Sequence, residues 1–174
     1  GLVGSEMCIE TALENVYHTA YKAIEELNRR GIGYLIVTKS SMVADDRYIR
    51  LMDRELAHIQ ISITTTDDNL SRTYERACVP SLRIKAIEKL QEQGFDISLR
   101  LSPFIPQYID LTKLNGIDVI KTGRIFKGEH MNKTRFNIDY SEYTLKHSGY
   151  QHLPLEQKIK YLAQITGFNQ LTVC

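Results

Sequence analysis

HIQISITTTDD, residues 58–68, begins as a strict alternation: Ile59, Ile61 and Ile63 take one side of an extended chain, and Gln60, Ser62, Thr64 and Thr66 take the other. DISLRLS, residues 96–102, repeats the split, with Ile97, Leu99 and Leu101 opposed to Ser98, Arg100 and Ser102. A strand of a doubly wound sheet is apolar on both faces, because helices cover both. These two strands are not. Their polar side either lines a solvated, ligand-holding lumen or is the open face of a one-sided sheet; a period of two fits both. Arg100 makes the question specific, since a buried guanidinium without a partner is costly.

Working outward, helices and strands alternate. From Glu10 to Arg30 the apolar residues Leu13, Val16, Tyr17, Ala20, Ile24 and Leu27 recur every three or four positions before Gly31, which predicts an amphipathic helix. GYLIVTKS (33–40) reads as a strand with a polar end, and MVADDRYIRLMDREL (42–56) as a helix. After a polar crossing at 67–79, Pro80 opens a helix that runs to Gly94. Beyond residue 102 the expectation is a strand at 117–125, a tyrosine-rich irregular stretch, a helix near 154–166 and a last strand, QLTVC. Such spacing predicts parallel βαβ units. A closed TIM barrel fills its interior with branched apolar side chains, so the polar face points to a wider or incomplete barrel.

Composition bounds the function. At 174 residues, 43% apolar and 25% charged, the chain is large enough for one domain with a core and too mixed for disorder. The formal net charge of +1 gives no global pull toward nucleic acid or anionic lipid. Residues 121–160 nevertheless hold eight Lys/Arg against four Asp/Glu. Cys8, Cys78 and Cys174 are too far apart for a CxxC pairing, and an odd count fits a reducing, cytoplasmic setting. No apolar run reaches the length of a membrane span. GLVGSEMCI (1–9) continues none of these patterns and reads as an adapter-like leader, which implies natural sequence lost upstream. The expected organisation is therefore a leader at 1–9, a partial barrel at 10–125 and an extension at 126–174. None of the five histidines has a spacing to another His, Cys or carboxylate strong enough to propose a metal site.

IVTKS (36–40), then SITTTDDNLSRTYERACVPSLRIKAIEKLQEQGF (62–95), then LRLSPFIP (99–106) resemble, in order, strands and a crossover of the radical S-adenosylmethionine (radical SAM) proteins of the spore photoproduct lyase-like group. The likeness covers roughly residues 10–125 and loosens after 126. It implies a partial (β/α)6 TIM-like barrel of parallel strands. It also implies S-adenosylmethionine as cosubstrate, a [4Fe-4S] cluster held by CxxxCxxC, a reductant such as flavodoxin or ferredoxin, and hydrogen-atom abstraction from an unknown substrate. This sequence carries no CxxxCxxC, so the resemblance implies a chain that bears the cosubstrate side of the site and not the cluster ligands.

By that resemblance Lys39 contacts the S-adenosylmethionine carboxylate, Ser62 and Thr64 bond its ribose or aminoacyl group, and Arg100 forks onto a carboxylate or lines the substrate cavity, with Ser102 beside it. Each also reads blandly: a solvated lysine at a strand end, plain lumen polarity, a structural salt bridge. Glu75 and Arg83 resemble an ion pair that positions the crossover. A different class of function rests on Lys121, Arg124, Lys127, Lys133 and Arg135 interleaved with Phe126, Phe136 and Tyr140, a pattern suited to gripping nucleic acid by phosphate contact and stacking. An inactive fragment is the third expectation.

Overall fold

The computed structural model describes residues 14–114, 117, 125–127, 136–147, 150–163 and 172–173. Five parallel strands form one sheet: β1 (Tyr34–Thr38), β2 (Ala57–Ile63), β3 (Asp96–Leu101), β4 (Ile125–Lys127) and β7 (Thr172–Val173), ordered β1-β2-β3-β4-β7. β5 (Leu145–His147) and β6 (Tyr150–His152) make a separate antiparallel hairpin. The helices are α1 (Thr19–Arg29), α2 (Asp46–Leu51), α3 (Asp68–Tyr74), α4 (Pro80–Glu92) and α5 (Leu155–Leu162). Spatial order follows chain order, so every crossover steps the same way. Right-handed crossovers that never reverse leave the connecting helices on one face.

Parallel register sorts the side chains. Ile36, Ile59 and Ile97 share one row and Thr38, Ile61 and Leu99 the next; on the opposite face lie Leu35 with His58 and Asp96, Val37 with Gln60 and Ser98, and Ser62 with Arg100. The isoleucine face is the helix face. There Ile59, Ile61, Ile63, Leu99 and Leu101 are fully buried, and α4 packs on β2 and β3 with a buried stripe of Arg83, Ala86, Ile87 and Leu90. Pro80 starts α4, the Asp68 carboxylate accepts from the Ser81 N–H and hydroxyl, and Gly94, at φ 78°, lets the chain turn out.

The polar face is less open than its alternation suggests. Ser98 is fully buried and Gln60 nearly so, while Leu35 and Val37 on the same face stay about half exposed. Part of this face is bonded internally: the half-buried His58 has Nδ1 2.5 Å from Asp96 Oδ2 and Nε2 3.3 Å from the Oγ of the buried Ser98.

Several boundaries move for local reasons. The helix expected over 10–30 is broken at His18, whose φ of 52° ends a turn at 14–17. The Glu14 carboxylate then folds back to accept from the amides of Ala20 and Tyr21, filling the free N–H groups that open α1. The helix expected over 42–56 divides into a short 3-10 turn (Ser41–Ala44) and α2, because Asp45 adopts an extended conformation between them. The crossing at 67–79 contains α3, opened by Asp67, whose side chain accepts from the amides of Asn69 and Leu70. The expected strand at 117–125 lies outside the described residues over 118–124, and the strand found there is β4. The tyrosine-rich stretch holds the β5–β6 hairpin. Beside β1, α1 leaves an apolar groove of about 580 Å³ bordered by Ala20, Ala23, Ile24, Leu27, Ile36 and Val43.

Candidate functional site

Extending the β1–β2 register by one residue beyond Thr38–Ile61 places Lys39 level with Ser62, which is itself paired with Arg100. The fold thus brings Lys39, Ser62 and Arg100 to one row at the carboxyl end of the sheet, where parallel α/β folds gather their functional groups. One step further along the same face come Thr64 and Ser102. Their environments differ. The Lys39 side chain is 38% exposed, Arg100 and Ser102 are half-buried, and Ser62 and Thr64 are buried. The Arg100 side chain makes no hydrogen bond or ion pair among the described residues.

Lys39 is not a solvated strand end. Its Nζ lies 2.5 Å from Glu75 Oε1, which also accepts from Thr64 Oγ1 at 2.8 Å. The other oxygen, Oε2, accepts from Arg83 at 2.5 Å. Arg83 is fully buried and also donates from Nε and Nη1 to the Cys78 and Ser62 carbonyls, at 2.5 and 3.0 Å. Burial alone would push the Glu75 carboxyl up, but Arg83 and then Lys39 overcome it and hold the group below the ordinary carboxylate range. Two cations on one carboxylate leave the cluster with a surplus of one positive charge. Lys39 is the member that reaches solvent.

Aromatic rings wall this cluster. Tyr74 stacks with Tyr108 at 6.0 Å and meets Phe136 edge-on at 5.2 Å, and Tyr108 meets Phe136 at 6.1 Å. The Tyr74 hydroxyl lies 2.9 Å from Thr64 Oγ1, and burial pushes its phenol up to about 12, with Glu75 adding to the rise against the Thr64 bond. The neighbouring threonines are latches. Thr65 Oγ1 and the Thr66 amide both donate to the Tyr108 carbonyl, and the Asp110 amide donates to Thr66 Oγ1, tying the loop after β3 over the end of β2.

Sequence reasoning found the row and the Glu75–Arg83 pair but missed the Lys39–Glu75 bond and the ring wall. Arg83 gave a usable signal, a cation inside the apolar 83-86-87-90 stripe of α4. Of the basic and aromatic set at 121–140, only residues 125–127 and 136–140 are described. Phe136 there is buried against the two tyrosines, and the Tyr140 hydroxyl donates to its carbonyl.

No family model matches the chain. An uncharacterised protein of Acidianus two-tailed virus is 27% identical over 95 residues, 54% of this chain and 32% of the viral one. Among solved structures, a spore photoproduct lyase variant with bound AdoMet and dinucleoside spore photoproduct is similar at a TM-score of 0.57 and 15% identity, over 92% of this chain. A second, with the dinucleoside spore photoproduct, gives 0.59 and 14%. This chain spans 56% of either lyase. A domain of pyruvate-formate lyase-activating enzyme from Bacteroides vulgatus gives 0.55 at 15% identity, covering 90% of each chain. Both kinds are radical SAM enzymes. The singly wound parallel sheet of this chain is similar in fold to these structures.

Proposed function

We propose that this sheet is the cosubstrate side of a radical SAM site within a partial barrel, and that it holds the carboxylate of S-adenosylmethionine (AdoMet) on Lys39 with Arg100 along the same row. The observation that carries the reading is the surplus cation at the carboxyl end of the strands: Lys39 exposed beside a buried Glu75–Arg83 pair, and the Arg100 side chain without a protein partner among the described residues. A ligand carboxylate set between Lys39 and Arg100 would meet both of these cations. Ser62 and Thr64 contribute less directly in this reading, since both are buried and Thr64 is already bonded to Glu75 and Tyr74. Ser102, one step beyond Arg100, belongs to the rim of the same site.

In this reading the described residues supply no ligand set for a [4Fe-4S] cluster. Cys78 is buried with its thiol 3.3 Å from Ser41 Oγ, Cys8 and Cys174 lie outside the described residues, and the sequence has no CxxxCxxC. The whole protein's substrate, its reductant and any nucleic-acid partner belong to the proposal only as what the fold family employs.

Calorimetric titration of the chain with AdoMet tests the assignment. Lys39→Met is expected to weaken binding about tenfold, the loss of one charge-assisted hydrogen bond, with a smaller loss for Arg100→Met. Unchanged binding in Lys39→Met, or no saturable binding by the wild type at millimolar AdoMet, overturns the reading.

A further inference from the structure

Glu75 has a second consequence for the same site, and the inference rests on the AdoMet-carboxylate reading above. We propose that Glu75 is the positioning and charge-setting residue of the site: it holds the Lys39 ammonium at the strand ends and trims the Lys39–Arg83 cluster from two positive charges to one, beside the charge of Arg100, so that the site takes a dianion less readily than it would without Glu75. The carboxylate is suited to this because both its oxygens are engaged. Oε2 is fixed by a guanidinium that is itself fully buried and anchored on two carbonyls, and Oε1 is fixed by Thr64. Glu75 therefore cannot follow Lys39 into solvent, whereas Lys39 has two further donors on its ammonium for a ligand. An incoming carboxylate adds to the Lys39–Glu75 contact and does not replace it. The cluster is then neutral in sum, with alternating signs from Arg83 through Glu75 and Lys39 to the ligand.

A residue that merely stiffened the crossover would leave charge selectivity untouched, which makes selectivity the readout. Two probes are used, AdoMet and inorganic phosphate, with folding checked by thermal melting. Glu75→Gln raises the surplus to two charges, and phosphate is expected to bind about tenfold more tightly than to the wild type, while AdoMet gains little or loses affinity. The double variant Glu75→Gln with Arg83→Met removes the buried pair together, a change that buried pairs tolerate better than loss of one partner. It restores a surplus of one, so phosphate binding is expected to return to the wild-type level while AdoMet remains about tenfold weaker for want of a held ammonium. Phosphate binding unchanged in a folded Glu75→Gln protein overturns the proposal. If that variant does not fold, the double variant decides, and wild-type AdoMet affinity there overturns it. Loss of AdoMet binding in Lys39→Met with no selectivity change in the Glu75 variants would sink this inference and leave the carboxylate reading standing. Indifference of AdoMet to Lys39→Met would sink both.

Discussion

A carboxylate that accepts from a guanidinium, an ammonium and a hydroxyl keeps its charge in surroundings that would otherwise neutralise it, and Glu75 is such a group. Its pKa is lowered on folding. The stability it supplies is therefore fully present above the unfolded carboxylate range and is lost as pH falls through the depressed folded value. Urea unfolding followed from pH 7 downward is expected to show a flat contribution to about pH 5 and a decline below it. Glu75→Gln should be less stable at pH 7 and lose less on acidification. An identical acid slope in the two proteins would show that Glu75 titrates alike folded and unfolded. At this scale the sequence was partly legible: the crossover resemblance pointed to Glu75 and Arg83. The Lys39 contact spans 36 positions and depends on how β1 and the α3–α4 loop meet in space, which no local pattern records.

At the scale of elements, period and punctuation carried most of the reading. Pro80 and Gly94 bracket α4 as expected, and the two alternating strands lie where their isoleucines and leucines place them. α4 holds those strands through Ile87 and Leu90, both fully buried. Ile87→Ala is expected to cost about 2–5 kcal/mol by urea unfolding, lost transfer energy plus a cavity beneath the sheet; a loss under about 1 kcal/mol would mean that α4 does not pack as described. What escaped were breaks set by capping. Glu14 and Asp45 are ordinary helix-surface residues by periodicity, yet Glu14 opens α1 by accepting from its first amides and Asp45 parts the 3-10 turn from α2 by its extended backbone.

β1 offers a different kind of test. The Tyr34 amide donates toward β2, to the Leu56 carbonyl, so period two turns the amides of Leu35 and Val37 the other way, toward an edge that pairs with no other described strand. Hydrogen exchange should be fastest at Leu35 and Val37 and slower at Tyr34 and Ile36. Uniform protection along β1 would show that another segment covers this edge. The strand has no charge, proline or bulge to blunt pairing with foreign chains.

For the molecule as a whole, strand and helix order predicted a parallel α/β fold, and the polar face distinguished it from a doubly wound sheet. The structure bears out both through a strand order without reversal. It also alters the picture of a purely solvated face, because His58 bonds both Asp96 and Ser98 at its amino-terminal end. Alternation reports which side a residue takes. It is blind to whether a neighbour from another strand meets its polar groups, as His58 of β2 does for Asp96 and Ser98 of β3.

The strand order bears on synthesis as well as architecture. β1 to β4 join the sheet in the order in which a ribosome would release them, so each new strand meets a partner already made. Only β7 departs, reaching back to β4 across the whole hairpin and α5 region. Folding during translation can accordingly proceed by addition at one growing edge, with the row of Lys39, Ser62 and Arg100 assembled once β3 has emerged, well before the last residues leave the tunnel.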